Sequence, residues 1–70
     1  MRVYIITTSE PFEDGVQIIK VHTDFKQASE FLRGCSNDFD NLRLQVWLDG
    51  ELKEYYCYEH EVLELLWEGE

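Results

Sequence analysis

The stretch from Asn41 to Glu59, NLRLQVWLDGELKEYYCYE, constrains the fold more than any other part of this chain. Asp49-Gly50 stands in its middle, and this dipeptide strongly favours a tight two-residue turn, because both central positions of such a turn need a positive φ. Before the turn, leucine and valine alternate with polar or aromatic residues, as in a strand with one buried face. The stretch therefore predicts two antiparallel strands joined at Asp49-Gly50.

A regular ladder beyond this turn also predicts which residues of the hairpin face each other. The expected pairs are Leu48 with Glu51, Val46 with Lys53, Leu44 with Tyr55, and Leu42 with Cys57. One face of the hairpin then closes the core with leucine and valine. The other face is expected to carry Trp47, Leu52, Tyr56 and Tyr58, beside Arg43, Gln45 and Glu54. Aromatic residues edged by charges are typical of the centres of protein interfaces.

The rest of the chain predicts the partners of this hairpin. The β-branched segments Arg2 to Thr8 and Val16 to Val21 predict two strands that form a hairpin across a loop. Apolar residues then recur every three or four positions, which predicts a helix capped by Thr23 or Asp24. Its apolar face consists of Phe25, Ala28, Phe31, Leu32 and Cys35. The tail, HEVLELLW from His60 to Trp67, fits a two-turn helix better than a strand, although strand pairing is also compatible with it.

These elements predict one α+β domain spanning residues 1–70. We expect a mostly antiparallel sheet of about four strands in the order β-β-α-β-β, with one helix packed on one face and a short C-terminal helix or strand. The tail, a second copy of the chain or a partner protein could cover the aromatic face of the second hairpin.

Charge is distributed unevenly along the chain. Fifteen acidic and six basic residues give a net charge of −9. Residues 49–70 hold eight of the acids and only one base, so seven of the nine net charges lie in the last third of the sequence. This distribution argues against direct binding to nucleic acid or to an anionic membrane, and it favours basic protein surfaces as partners. Solubility alone is a simpler explanation for the charge.

Sequence motifs give no support for catalysis, cofactor binding or metal binding. The chain lacks the glycine-rich phosphate-binding and nucleophile motifs, so we expect a non-enzymatic protein with no cofactor. Cys57 and His60 could ligate a metal together with a nearby glutamate, but their spacing matches no usual zinc pattern. Cys35 and Cys57 are expected to be reduced, partly buried thiols. The absence of a signal sequence or membrane-length apolar run favours a cytoplasmic protein.

In size, charge and its acidic hairpin followed by an acidic tail, the chain resembles the DNA-mimic inhibitors of phages and mobile elements. This group includes anti-restriction, anti-CRISPR and DNA-glycosylase-inhibitor proteins, and the resemblance covers residues 49–70 best. The chain lacks the Glu-Ser-Ile insertion strand of the glycosylase inhibitors. The resemblance implies an inhibitor that occupies a basic nucleic-acid-binding groove on another protein, in the host cytoplasm if a phage encodes it.

We expect the contacts of such an inhibitor to combine carboxylates with aromatic anchors. The carboxylates are Asp49, Glu51, Glu54, Glu59, Glu61 and Glu64, and the anchors are Trp47, Tyr56 and Tyr58. An acidic adaptor or a homodimerising protein without nucleic-acid mimicry is the alternative interpretation of the same residues.

Overall fold

A computed structural model of the chain describes residues 1–9, 16–36, 38–39 and 41–69. Its elements in chain order are β1 (Arg2–Thr8), β2 (Gln17–His22), α1 (Phe25–Cys35), β3 (Arg43–Leu48), β4 (Glu51–Glu59) and β5 (Val62–Glu68). The strands form one antiparallel sheet in the order β2-β1-β3-β4-β5. The prediction of an α+β domain with a small antiparallel sheet and one helix is confirmed at this level. Most of the predicted loop between the first two strands lies outside the described residues.

The tail is a fifth strand rather than the two-turn helix that its composition favoured. β5 pairs antiparallel with β4 across a two-residue turn at His60 and Glu61. Both turn residues have a positive φ, 52° and 62°, as this kind of hairpin requires. A helix of two turns would be too short to be stable alone. Pairing with β4 instead gives alternate residues of this edge strand hydrogen bonds within the sheet.

The turn between β3 and β4 forms as predicted. Asp49 has a φ of 50° and Gly50 a φ of 84°, and Leu48 pairs with Glu51 directly beside them. A backbone hydrogen bond of 3.2 Å from the Asp49 amide to the Met1 carbonyl ties this turn to the start of β1. The turn therefore lies at the same end of the sheet as the beginning of the chain.

Helix α1 closes the core over only one part of the sheet. Its N-terminus is capped by the Asp24 side chain, which accepts a hydrogen bond of 3.0 Å from the Lys26 amide. Ala28, Leu32 and Cys35 are buried against the strands. The residues that complete this core are Tyr4, Ile6, Leu42, Leu44 and Val46.

The connectivity explains why the helix lies where it does. β2 and β3 flank β1 and both run antiparallel to it, so α1 has to cross over β1 to join them. The helix accordingly packs on β1 and β2. β4 and β5 are added beyond β3 by short hairpins, and the helix side of these two strands is left half-exposed. No helix among the described residues is long and apolar enough to span a membrane.

Candidate protein-binding surfaces

A β-bulge at Lys53 changes which side of the sheet the predicted aromatic residues occupy. Trp47 pairs with Leu52, but the next pair is Val46 with Glu54, so β4 holds one extra residue between them. Two residues on one strand opposite one on its partner define a bulge. All pairings beyond the bulge therefore differ by one residue from those of a regular hairpin.

The predicted register is wrong beyond the turn. Leu44 pairs with Tyr56 rather than Tyr55, and Gln45 pairs with Tyr55. The shift places Tyr56 and Tyr58 on the side that faces α1, where both pack against the core. Trp47 lies on the opposite side with Leu52. The aromatic cluster expected from Trp47, Tyr56 and Tyr58 therefore does not exist as one surface.

The helix side of β4 and β5 forms a surface that we call the ledge. Its residues are Glu54, Tyr56 and Tyr58 from β4 and Leu63, Leu65 and Glu68 from β5. Tyr56, Tyr58 and Leu63 touch the core and remain partly exposed, while Leu65 is 46% exposed. The ledge thus combines aromatic and aliphatic side chains with two carboxylates.

The two acidic residues of the ledge occupy directly opposite positions of the ladder. Glu54 pairs with Glu68 across the β4–β5 ladder. The Tyr56 hydroxyl donates a hydrogen bond to the Glu54 carboxylate. This bond, followed by partial burial and the charges of Glu54 and Glu68, raises the pKa of Tyr56 to about 12, against a smaller lowering effect from Arg2. Like charges in opposite positions of a sheet are destabilising, so a cation brought by a partner would relieve repulsion at this point.

Three predicted contact residues lie at the turns. The Asp49 carboxylate lies 2.6 Å from the N-terminal ammonium, whose hydrogen bond and charge lower the pKa of Asp49. Glu51 forms an ion pair of 2.9 Å with Lys53, the bulge residue. Glu61 lies in the turn at the opposite end of the hairpin. Asp49 and Glu51 already have cationic neighbours, so they are weaker candidates for binding a basic partner than the ledge carboxylates.

The side of the sheet turned away from α1 is called the far face. It carries the remaining predicted contact residues, Trp47, Glu59 and Glu64, and several residues that the sequence did not indicate. Its cross-strand rows are Val3-Trp47-Leu52, then Val21-Ile5-Gln45-Tyr55-Trp67, then Ile18-Thr7-Arg43-Cys57-Glu64, and finally Glu59-Val62. The Trp47 indole donates a hydrogen bond of 2.9 Å to the Gln45 side chain, which holds both within the face. The first two rows contain no charged side chain.

Sequence reasoning missed Tyr55, Trp67 and Glu68 as surface residues for different reasons. A regular ladder places Tyr55 on the core side, and the sequence gives no signal for the bulge that moves it to the far face. Trp67 ends the segment from His60 to Trp67, whose composition favours a helix, and Glu68 follows that segment, so the sequence does not identify their cross-strand neighbours. The pairing of Trp67 with Tyr55 follows only from the β5 register. An alternation signal in β5 is weak, because Leu65 and Leu66 form an irregular step in that register.

The two thiols differ in their surroundings. Cys35 is buried, and desolvation, with a smaller contribution from the charge of Asp38, raises the pKa of its thiol. Cys57 is half-exposed on the far face, with its Sγ 3.9 Å from a carboxylate oxygen of Glu64. Within the residues that the structure describes, no three histidine, cysteine or acidic side chains are grouped so that they could hold a metal ion.

Comparison with known proteins adds no functional information, because neither a family model, nor a curated protein, nor a solved structure matches this chain.

Proposed function

We propose that this protein is a non-enzymatic inhibitor that binds a basic, nucleic-acid-binding groove on another protein. The resemblance in size and charge to phage-type anti-restriction and anti-CRISPR proteins supports enzymes of host defence as the class of target. In this proposal the carboxylates take the place of phosphates, and aromatic side chains of the same surface provide the desolvated contact.

One observation carries the proposal: the charge bias along the sequence becomes a charge bias in space. Residues 49–69 hold seven acids and one lysine, and they form β4, β5 and both of their turns at one side of the sheet. Residues 1–36, which include β1, β2 and α1, hold four cations and five acids. A molecule polarised in this way attracts a basic partner toward its β4–β5 side at long range and orients it before contact.

The ledge is the part of this side best suited to contact. Tyr56 and Tyr58 are rigid aromatic side chains that are already partly held by the core, so little conformational freedom is lost when a partner covers them. Glu54 and Glu68 lie beside them as an unfavourable like-charge pair. Lysine or arginine side chains of a partner would neutralise that pair while stacking on the tyrosine rings.

Retention of polyanion-binding proteins tests this function. This protein is immobilised on a column, and the heparin-binding proteins of a bacterial lysate are passed over it. The column is then washed with duplex DNA. We expect a protein to be retained and to be released by DNA, because inhibitor and DNA compete for one groove. The Glu68→Lys variant should lose this retention, whereas Glu30→Lys on the exposed surface of α1, with the same change in charge, should keep it. Retention that duplex DNA does not reverse, or that both variants reduce equally, would contradict the proposal.

A further inference from the structure

We infer that the far face binds a second copy of this chain, so that two sheets pack face to face in a homodimer. This inference does not depend on the inhibitor function, because it uses the side of the sheet opposite the ledge.

The composition of the far face is that of an interface rather than of a solvated sheet. An antiparallel sheet with one face in water normally carries polar residues there. Here the row formed by Val21, Ile5, Gln45, Tyr55 and Trp67 and the neighbouring row formed by Val3, Trp47 and Leu52 contain one polar side chain, Gln45, among eight positions. Val21 is 51% and Trp67 is 48% exposed. Tryptophan and tyrosine are the residue types that most often dominate interface energies.

Charge explains why the occupant is a second copy and not the basic partner of the ledge. A basic partner needs acids, and the two apolar rows have none. The same rows also lack any charge that would repel an identical surface, although the whole chain carries −9. Sheets that pack in this way lie about 10 Å apart with interdigitated side chains, which leaves both ledges exposed on the outside of the dimer.

The third row of the far face is self-complementary. Arg43 and Glu64 lie in this row on either side of Cys57, on β3 and β5 respectively. A two-fold axis that runs along β4 between the sheets exchanges the positions of β3 and β5. Arg43 of one copy then faces Glu64 of the other, and the symmetry produces this ion pair twice. The same axis places Tyr55 next to Tyr55 of the second copy, at the centre of an overlap that buries the β3, β4 and β5 parts of the apolar rows.

Sedimentation equilibrium with two matched variants tests the dimer. At concentrations from about 1 to about 500 µM, which cover affinities expected for a modest interface, the mass of the wild type should rise from 8.4 kDa toward twice that value. Trp67→Lys should remain monomeric over this range. Leu65→Lys has the same change in charge, lies in the same strand and is equally exposed (46% against 48%), but it points to the ledge, so it should dimerise like the wild type.

Three further results decide the inference. A wild type that stays at the monomer mass over the whole range, or equal losses of dimer in the two variants, would overturn it.

Arg43→Glu should weaken the dimer at least tenfold, and Arg43→Glu combined with Glu64→Arg should restore it. An absence of restoration, with both variants shown to be folded by circular dichroism, would overturn the two-fold arrangement. Added salt should weaken the dimer much less than it weakens binding to a basic partner, because the apolar rows supply most of the dimer contact, which separates failure of this inference from failure of the inhibitor function.

Discussion

The Tyr56 hydroxyl donates a hydrogen bond to Glu54, and Glu68 faces the same glutamate from β5. A hydrogen bond from the neutral phenol to a carboxylate, in the field of two negative charges, opposes loss of the phenolic proton. The ionisation of Tyr56 is therefore a direct report on the electrostatics of the ledge.

The first prediction concerns alkaline pH. With its pKa raised from 10.0 to about 12, Tyr56 keeps its proton in the folded state at pH values where an unfolded chain has lost it. Its contribution to stability is thus complete below about pH 10 and is lost as the pH rises toward about 12. Phenolate absorbance should show a late-titrating component that is missing in Tyr56→Phe and that titrates earlier in Glu54→Gln. A late component that Tyr56→Phe leaves unchanged, or its absence from the wild type, would contradict the geometry of the ledge.

The second prediction concerns the stability of the ledge. Glu68→Lys replaces a like-charge pair by an attractive pair and keeps the Tyr56–Glu54 hydrogen bond, so it should increase the free energy of unfolding by about 0.5 to 1 kcal/mol at low salt. Urea unfolding at two salt concentrations measures this gain, which should shrink at high salt. The same variant should bind a basic partner less well, because it removes one of the two opposed carboxylates. A variant that is destabilised, or a gain that salt does not change, would show that Glu54 and Glu68 do not repel each other.

The register of the second hairpin shows where sequence reasoning succeeded and where it could not. Asp49-Gly50 set the turn and its first pair correctly, since the turn geometry depends on local residues only. The bulge at Lys53 has no such local signal, because Tyr55, Tyr56 and Tyr58 offer an apolar side chain to either face. Packing therefore determines the position of the bulge, because the bulge brings Tyr56 opposite Leu44 and against the core.

The arrangement of the helix over the sheet is the second feature that the sequence does not predict. The alternation of Leu42, Leu44 and Val46 identified the buried side of β3 correctly, because all three are buried. Nothing local, however, indicates that α1 covers β1 and β2 and leaves β4 and β5 half-exposed. That follows from the crossover of the helix between β2 and β3, which only the strand order reveals. The ledge and the far face could therefore not be separated before the topology was known.

The third prediction concerns the β4–β5 turn. His60 and Glu61 both adopt a left-handed conformation that costs residues with a Cβ about 1 to 2 kcal/mol each. Replacing them by Asn and Gly, the preferred pair for this turn, should increase the free energy of unfolding by about 1 kcal/mol after the higher entropy of glycine in the unfolded chain is included.

Gly50→Ala is the matched control for this change. A Cβ at Gly50 would meet no atom within 4 Å, so only its φ of +84° opposes the substitution. Its expected cost of about 1 kcal/mol therefore measures backbone strain without a steric clash. If Gly50→Ala were neutral and the Asn-Gly replacement destabilising, the left-handed assignment of both turns would be wrong.

The fourth prediction concerns the two thiols. Burial protects Cys35 and raises the pKa of its thiol, while Cys57 is half-exposed. In native protein at pH 8, a disulfide reagent should therefore modify one thiol quickly and the other only as the protein unfolds. Cys57→Ser should abolish the fast reaction and Cys35→Ser should leave it unchanged. In a dimer formed through the far face, the fast reaction should slow as protein concentration rises.

The most direct test of the central claim is the salt dependence of binding to a protein that is retained by the wild type and released by duplex DNA. Calorimetric titration at about 50 and about 200 mM salt should show at least a tenfold loss of affinity, because attraction between the β4–β5 side and a basic groove is screened over this range. Glu68→Lys should reduce both the affinity and its salt dependence, and Glu30→Lys should change neither by more than about twofold. An affinity that is the same at both salt concentrations would contradict recognition through the acidic side of the sheet.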